Sequence, residues 1–262
     1  MQKIRAPGAL AALLAASLTP LPACAAIRVG LGVEQYRWQE TFPSGAVADR
    51  EAGARETLFV RDSVDLSRHL SVALSSKLAL GHPAYNGQTQ AGTPISLATT
   101  NVGIDSALLG VWHGTFLGQA ADYALGLGYN VWDRDLHNPV EGDQLKTWAV
   151  VYARAGMEVF QRRRSGWHAG AALIYPLRVT ENVHLAALGG DTNPALSPGR
   201  SLGYRLAGGY RFARHWDLSG YWQYQAYARS SGVAVSFSGT PATVYQPRSV
   251  EALYGLDLAY RF

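Results

Sequence analysis

Acidic side chains and a histidine lie close together near the middle of the chain. Asp133, Asp135 and His137 occupy alternate positions, and Glu141 and Asp143 follow shortly after. Carboxylate oxygens are the ligands that Ca²⁺ prefers, so this run could hold a calcium ion. The same run contains Asn, Pro and Gly, which are typical of a loop whose acidic side chains are simply solvated. The sequence favours the solvated loop and predicts no metal site.

Two histidines, His113 and His168, lie in segments where apolar and polar residues alternate. A histidine beside a serine could activate the hydroxyl group for the hydrolysis of an ester. The sequence places no serine beside either histidine. It also contains no glycine-rich phosphate loop and no Cys/His pattern with zinc-ligand spacing. The sequence therefore predicts no catalytic residues and no cofactor, and it favours a protein that is not an enzyme.

The composition limits the classes of protein to which the chain can belong. Of 262 residues, 48% are hydrophobic and only 16% are charged, which excludes an intrinsically disordered chain. Mean hydropathy is −0.05, and no apolar run beyond the N-terminus approaches the ~20 residues of a membrane helix. The net charge of +4 comes from scattered basic residues, so no nucleic-acid partner is expected.

The N-terminal segment has the pattern of a cleaved signal peptide. Lys3 and Arg5 precede an apolar run at 9–18, and small residues surround Cys24, as at a signal-peptidase site. We therefore predict a signal peptide at 1–25 and one mature domain at 26–262. Cys24, the single cysteine, is either removed with the signal or acylated as in a lipoprotein, and the sequence favours removal.

The mature chain repeats one pattern, in which apolar residues alternate with polar or small ones. A period of two places alternate side chains on opposite faces of a β-strand. Ten segments show it, at 27–39, 55–66, 70–81, 100–113, 119–132, 145–159, 167–178, 201–212, 216–229 and 250–262. The sequence therefore predicts an all-β domain with ten strands, or eight or twelve if one of the connections hides or replaces a hairpin.

The connections between these strands alternate in length. Long polar loops are predicted at about 41–54, 82–99, 133–144, 179–200 and 230–248, and short turns at 67–69, 114–118, 162–166 and 213–215. This alternation is typical of a membrane-spanning, antiparallel, up-and-down β-barrel. Closure pairs the first strand, 27–39, with the last, 250–262, because a sheet edge in lipid would leave backbone groups without hydrogen bonds.

The charged residues decide which face of the strands points outward. A soluble lipocalin-like barrel would alternate too, with its apolar face inward. Here nearly all charged residues share the non-apolar face, and the apolar face carries Tyr and Trp near strand ends, as at a lipid interface. We therefore expect the apolar face to contact lipid. Asp62 is the main exception, explained either by a β-bulge or by a position close to the interface.

The last strand ends in Leu256, Leu258, Tyr260 and Phe262 at alternate positions. This ending resembles that of outer-membrane barrels of Gram-negative bacteria, and the loop 85–94 is similar to one in small barrels of that class without assigned function. The resemblance implies location in the cell outer membrane and insertion by the barrel-assembly machinery, with these four residues as the assembly signal. It further implies contact with membrane lipid and lipopolysaccharide, and we expect a monomer.

Ten strands also resemble the omptin proteases, whose site is an Asp pair opposite an Asp-His pair at the outer rim. Asp133 and Asp135, with His137, could provide one side. The sequence offers no matching second pair, because His184 and Asp191 lie far apart and His215-Trp216-Asp217 falls at a short turn.

The function favoured by the sequence is envelope structure or surface interaction through the five long loops. A narrow passive pore is the first alternative, because inward glycines would leave space in the lumen. Mixed inward charges favour a narrow or plugged lumen instead. An outer-membrane enzyme, either an omptin-like protease or a lipid A-modifying hydrolase, is the other alternative.

Overall fold

The computed structural model describes residues 25–88, 92–138, 143–161, 165–212 and 214–262. Residues 1–24 of the predicted signal peptide, which include Cys24, lie outside these ranges, and so does Glu141. Within them, no helix is both long and apolar enough to cross a membrane. One 3₁₀ helix, Ala186–Leu188, is the only helical segment in the described part of the chain.

The fifteen strands of the described chain are numbered in chain order. They are β1 (Ala25–Thr41), β2 (Val47–Ser67), β3 (Leu70–Gly81), β4 (Ala84–Gln88), β5 (Pro94–Phe116), β6 (Gln119–Leu136), β7 (Gln144–Phe160), β8 (Gly166–Val183), β9 (Ala195–Leu196), β10 (Gly199–Arg200), β11 (Gly203–Arg211), β12 (Trp216–Ala228), β13 (Val233–Phe237), β14 (Thr240–Val244) and β15 (Arg248–Arg261).

Ten of the strands, β1, β2, β3, β5, β6, β7, β8, β11, β12 and β15, form a closed antiparallel barrel. Neighbours in sequence are neighbours in the barrel, and β1 closes the ring by pairing with both β2 and β15. The closing ladder runs from Arg28–Arg261 to Thr41–Arg248. The predicted all-β fold, the strand number and the pairing of the first strand with the last are confirmed.

The apolar face of the strands points outward. Leu256 and Leu258 are 54% and 44% exposed, whereas Asp257 between them is 8% exposed. The same alternation holds on β1, where Leu31 and Val33 are exposed and Glu34 is buried. The lipocalin-like alternative is therefore wrong. A polar interior and an apolar exterior suit a barrel whose outer solvent is lipid.

The outer face of the barrel also carries charged residues, among them Asp62, Glu56 and Arg178. The β2 ladder is regular through Asp62, and its bulge lies between Asp65 and Ser67, so a bulge does not explain Asp62. Glu56 on β2 pairs with Val33 and Leu80 and shares their outer face, which the sequence analysis missed. Arg178, predicted inward, is exposed because a bulge in the β7–β8 ladder shifts its register.

The predicted long loops are largely β-structured, and this part of the prediction is wrong in detail. The β1–β2 ladder continues to Thr41–Val47, so only a five-residue connection, 42–46, remains of the loop predicted at 41–54. Other predicted loops contain β4, β9, β10 and the β13–β14 hairpin. Strand β5 has 23 residues, about twice the 9–11 that cross a bilayer. The strands therefore continue past the membrane as a β-structured extension at the long-loop end.

Candidate functional site

The lumen is blocked near the long-loop end by a cluster that we call the outer plug. Arg134 on β6 is 0% exposed. Its Nε and Nη2 donate hydrogen bonds to Glu51 Oε1 at 2.9 and 2.5 Å, and its Nη1 donates to Glu40 Oε1 at 2.8 Å. Lys146 Nζ lies 3.7 Å from both Glu40 Oε1 and Glu181 Oε1. Charges from β1, β2, β6, β7 and β8 thus meet across the lumen.

Aromatic rings complete the outer plug. Trp38, Trp132, Trp148 and Tyr227 are buried and pack against one another, with ring centroids of Trp38 and Trp148 4.9 Å apart. The guanidinium of Arg134 lies 4.7 Å from the ring centroid of Trp38, a cation–π contact. Three of the seven tryptophans thus fill the lumen instead of the lipid interface. These three tryptophans have even residue numbers, as do the inward residues of β1, β6 and β7. The alternation in the sequence could therefore have predicted that they point into the lumen.

Two carboxyl groups of the outer plug have pKa values shifted in opposite directions. Burial raises the pKa of Glu181 to about 7, and the nearby charge of Glu40 adds to this effect while Lys146 opposes it. Burial acts in the same direction on Glu40, but Lys146 and Arg134 hold its pKa well below the usual range. Both groups lie in the extension, where the outer face carries polar residues.

A second layer, the inner clamp, crosses the lumen below the plug. The buried Glu34 accepts hydrogen bonds from Arg55 Nε at 3.0 Å, from Lys77 Nζ at 2.7 Å and from the hydroxyl of Tyr221. Arg55 also donates to Asn101 Oδ1 at 2.7 Å. A cavity of only about 20 Å³ lies beside Arg55, Lys77 and Trp132, so two layers close the lumen.

The lumen opens below the clamp into two cavities of about 220 and 370 Å³. His168 lies in the upper one with its Nδ1 2.9 Å from Glu158 and its Nε2 3.0 Å from Asp217, and Asp217 also accepts from Arg28 at 2.6 Å. Two carboxylates thus occupy both nitrogens of this histidine, so it does not activate a hydroxyl group.

A serine, a histidine and an aspartate meet at the second cavity. His113 Nε2 lies 3.1 Å from Ser71 Oγ, and His113 Nδ1 lies 2.8 Å from Asp122 Oδ1. The expectation that no serine lies beside His113 is therefore wrong. The β5–β6 ladder pairs His113 with Asp122 directly, and β3 places Ser71 opposite Val111, two residues from His113. Predicting this contact required the β3–β5 register.

The omptin-like arrangement is not assembled in the described chain. Asp133 and Asp135 share the outer face of the extension, where Asp133 accepts a hydrogen bond from Thr147 at 2.6 Å. His137 contacts Thr100 at 2.9 Å, whereas Asp191 accepts from the backbone of Ser236.

The two other histidines considered for an omptin-like site, His184 and His215, lie far from each other in the barrel. His215 lies at the short-turn end, where Nδ1 is 2.7 Å from the Arg261 carbonyl, and His184 lies after β8. Among the described residues, no group of three or more His, Cys, Asp or Glu side chains is arranged to hold a metal ion.

Of the residues predicted as an assembly signal, Leu256, Leu258 and Tyr260 lie on the outer face of β15, and Phe262 follows the strand. The ring of Tyr260 packs edge-on against that of Phe262, with centroids 5.0 Å apart. The backbone N–H of Phe262 donates to the Ile27 carbonyl, which ties the chain end to β1.

No family model and no curated protein matches the chain in sequence. Among solved structures, the chain is similar to the outer membrane protease OmpT from Escherichia coli, with a TM-score of 0.60 and 10% identity over 94% of this chain and 99% of that one. The outer membrane protein OprG from Pseudomonas aeruginosa has a TM-score of 0.40 and 11% identity over 91% of this chain and 95% of that one. The Pseudomonas putida toluene transporter TodX has a TM-score of 0.38 and 10% identity over 96% of this chain and 93% of that one.

At this identity, the likeness to OmpT shows a shared fold. A closed ten-stranded barrel with an apolar outer face is the fold of an outer-membrane protein, and the cell outer membrane is its location. Outer-membrane barrels have short turns on the periplasmic side and long loops outside, and by this rule we expect the extension to face outward. The plug would then close the barrel toward the exterior, with the 370 Å³ cavity at the periplasmic mouth.

Proposed function

We propose that the protein is a non-conducting outer-membrane barrel that acts in envelope structure and surface interaction through its β-structured extension. The outer plug is the observation that carries this proposal. A conducting pore needs a continuous water path, and Arg134 instead spans the lumen in direct contact with carboxylates of two other strands.

Removal of the plug would be costly, which favours a permanently closed lumen. The charges of Arg134 and Lys146 balance those of Glu51 and Glu40 in a site where all four side chains are buried or nearly so. Breaking such a buried pair costs about 3–5 kcal/mol. The inner clamp around Glu34 provides a second barrier of the same kind.

Conductance in planar lipid bilayers tests the closed lumen. We expect the wild-type barrel to give no steady steps. We expect steady steps from a variant that opens both layers, Trp38→Ala/Arg134→Ala/Trp148→Ala in the plug combined with Arg55→Ala/Tyr221→Ala in the clamp. Flotation of the protein with lipid vesicles shows that a silent sample is inserted. Steady steps from the wild-type barrel would contradict the proposal and support the passive-pore alternative.

Exposed arginines on the outer face support lipopolysaccharide as a partner. Arg37 and Arg178 are exposed and point outward in the extension, just beyond the apolar band. Guanidinium groups pair well with phosphate. We expect the double variant Arg37→Gln/Arg178→Gln to retain less lipopolysaccharide after purification than the wild type, with Arg200→Gln as an exposed control. Equal retention would remove this partner from the proposal.

The remaining parts of the proposal concern biogenesis. We propose export by the N-terminal 25 residues in a Gram-negative cell, insertion by the barrel-assembly machinery, and a monomeric state. Sedimentation of the detergent-solubilised protein tests the monomer, and a dimer mass would contradict it.

A further inference from the structure

The Ser71–His113–Asp122 contact has the geometry of a nucleophile, a general base and an orienting carboxylate. Asp122 can only accept a hydrogen bond while it is ionised, so His113 carries its proton on Nδ1, 2.8 Å from Asp122. His113 Nε2 is then the acceptor that faces Ser71 Oγ at 3.1 Å. This is the tautomer in which a histidine removes the proton from an attacking serine.

The three residues line the same cavity, and each is held by a paired strand. Ser71 lies on β3, His113 on β5 and Asp122 on β6, and all three border the 370 Å³ space at the periplasmic mouth. The His113 and Asp122 side chains are 30% and 24% exposed. Asp65 on β2 is the other carboxylate near the imidazole, 3.9 Å from Nε2. Ser71 is only 3% exposed, but it borders the cavity, so a small molecule can approach the serine only from within this space.

Five arginines and four carboxylates line the cavity, and the arginines without an ion-pair partner indicate the class of substrate. Arg61, Arg211 and Arg261 line it, and none has an ion pair within the part of the chain that the structure describes. Arg68 lines it as well. Guanidinium groups bind carboxylate and phosphate, and they can stabilise a developing oxyanion. The cavity volume is that of roughly a dozen water molecules, which limits the substrate to a small group.

We propose that this cavity is a hydrolase site for small esters that carry a carboxylate or phosphate group. Ser71 Oγ attacks the ester carbonyl carbon while His113 Nε2 takes the hydroxyl proton. The ester C–O bond breaks, and the alcohol leaves with the proton that His113 returns to it. Water, deprotonated by His113, then attacks the acyl-serine, and the carboxylic acid and free Ser71 are restored. This activity is separate from the closed-barrel function proposed above.

Labelling with a fluorophosphonate probe tests the nucleophile directly in the full chain purified in detergent. Ser71 Oγ would form a bond to phosphorus as fluoride leaves, and mass spectrometry would locate the label. We expect no label on Ser71→Ala and a labelling rate at least about 100-fold lower for His113→Gln. Ser63→Ala is the matched control, because Ser63 lines the same cavity without a histidine partner. Heat-modifiable gel migration confirms that each variant is folded.

Asp122 is a positioning residue in this scheme, and its test uses the tautomer of His113. Asp122→Ala removes the acceptor that holds the proton on Nδ1, so the imidazole should lose its preference for that tautomer, which the ring nitrogen signals of His113 in NMR spectra report. A change in barrel packing alone would lower the labelling rate without changing the tautomer.

Two esters of equal length test the substrate class. Mono-4-nitrophenyl succinate carries a carboxylate, and 4-nitrophenyl butyrate is neutral. We expect kcat/KM to be at least tenfold higher for the succinate ester, with the preference reduced by Arg61→Gln. Phosphatidylglycerol in the same detergent tests whether a membrane lipid is the substrate. Its hydrolysis would show that the anionic ester is a lipid. Absence of both labelling and turnover from folded wild-type protein, or a label that survives Ser71→Ala, would overturn the proposal.

Discussion

Substitution of Arg134 by alanine should destabilise the barrel far more than loss of any surface charge. The side chain is fully buried and donates three hydrogen bonds to Glu51 and Glu40. In Arg134→Ala, Glu40 keeps Lys146 at 3.7 Å. Glu51 loses its ion-pair partner and becomes an uncompensated buried charge. Breaking a buried pair in this way costs about 3–5 kcal/mol, and we expect about 4 kcal/mol.

Arg50→Ala is the matched control for this experiment. Arg50 precedes Glu51 on the same strand but is exposed, and it donates one hydrogen bond to Gln39 at 3.1 Å. A surface contact of this kind contributes less than about 1 kcal/mol. Urea unfolding in lipid vesicles, followed by tryptophan fluorescence, measures both variants, because Trp38, Trp132 and Trp148 report on the plug itself.

A compensating variant separates charge from packing. Arg134→Met/Glu51→Leu removes both charges, so no uncompensated carboxylate remains, and we expect most of the lost free energy of unfolding to return. If Arg134→Ala and Arg50→Ala lose the same free energy, then water reaches the plug. The closed lumen would then be wrong.

Three further outcomes follow from the same structure. The pKa of Glu181 near 7 exceeds its unfolded value near 4.5, so the folded state binds more protons between these values. The free energy of unfolding should therefore fall as pH rises from 4.5 to 7, by on the order of 3 kcal/mol, and urea titrations of Glu181→Gln should show a flatter profile. Leu127 lies on the lipid face of β6, and Leu127→Arg should lower the free energy of unfolding by about 2–4 kcal/mol. The control variant Leu127→Met should leave it nearly unchanged. Equal losses in the two variants would show that this face does not contact lipid. Phe262→Ala should lower the amount of assembled barrel in cells with little effect on the refolded protein, since Phe262 is largely exposed; unchanged assembly would contradict its role as a signal.

The sequence by itself determined the barrel and its orientation. Lipid on one side and a polar lumen on the other impose a strict period of two, so Leu256 and Leu258 could be assigned to one face and Asp257 to the other without coordinates. Closure followed because hydrocarbon offers backbone groups no hydrogen-bond partner. The alternation of short and long connections then gave the strand number.

The tertiary structure decided what fills the lumen and where the strands end. The sequence analysis assigned Arg134 and Glu51 to predicted loops. Their contact spans 83 residues and depends on the register of strands that are distant in the chain. The same holds for Ser71 and His113, which are 42 residues apart. The period of two also weakens where both faces of a strand carry polar or small residues. Residues 47–54 therefore resemble a loop in sequence, although they continue β2. Local pattern records the solvent on each face of a strand, whereas contacts across a closed ring depend on tilt and register that no single segment encodes.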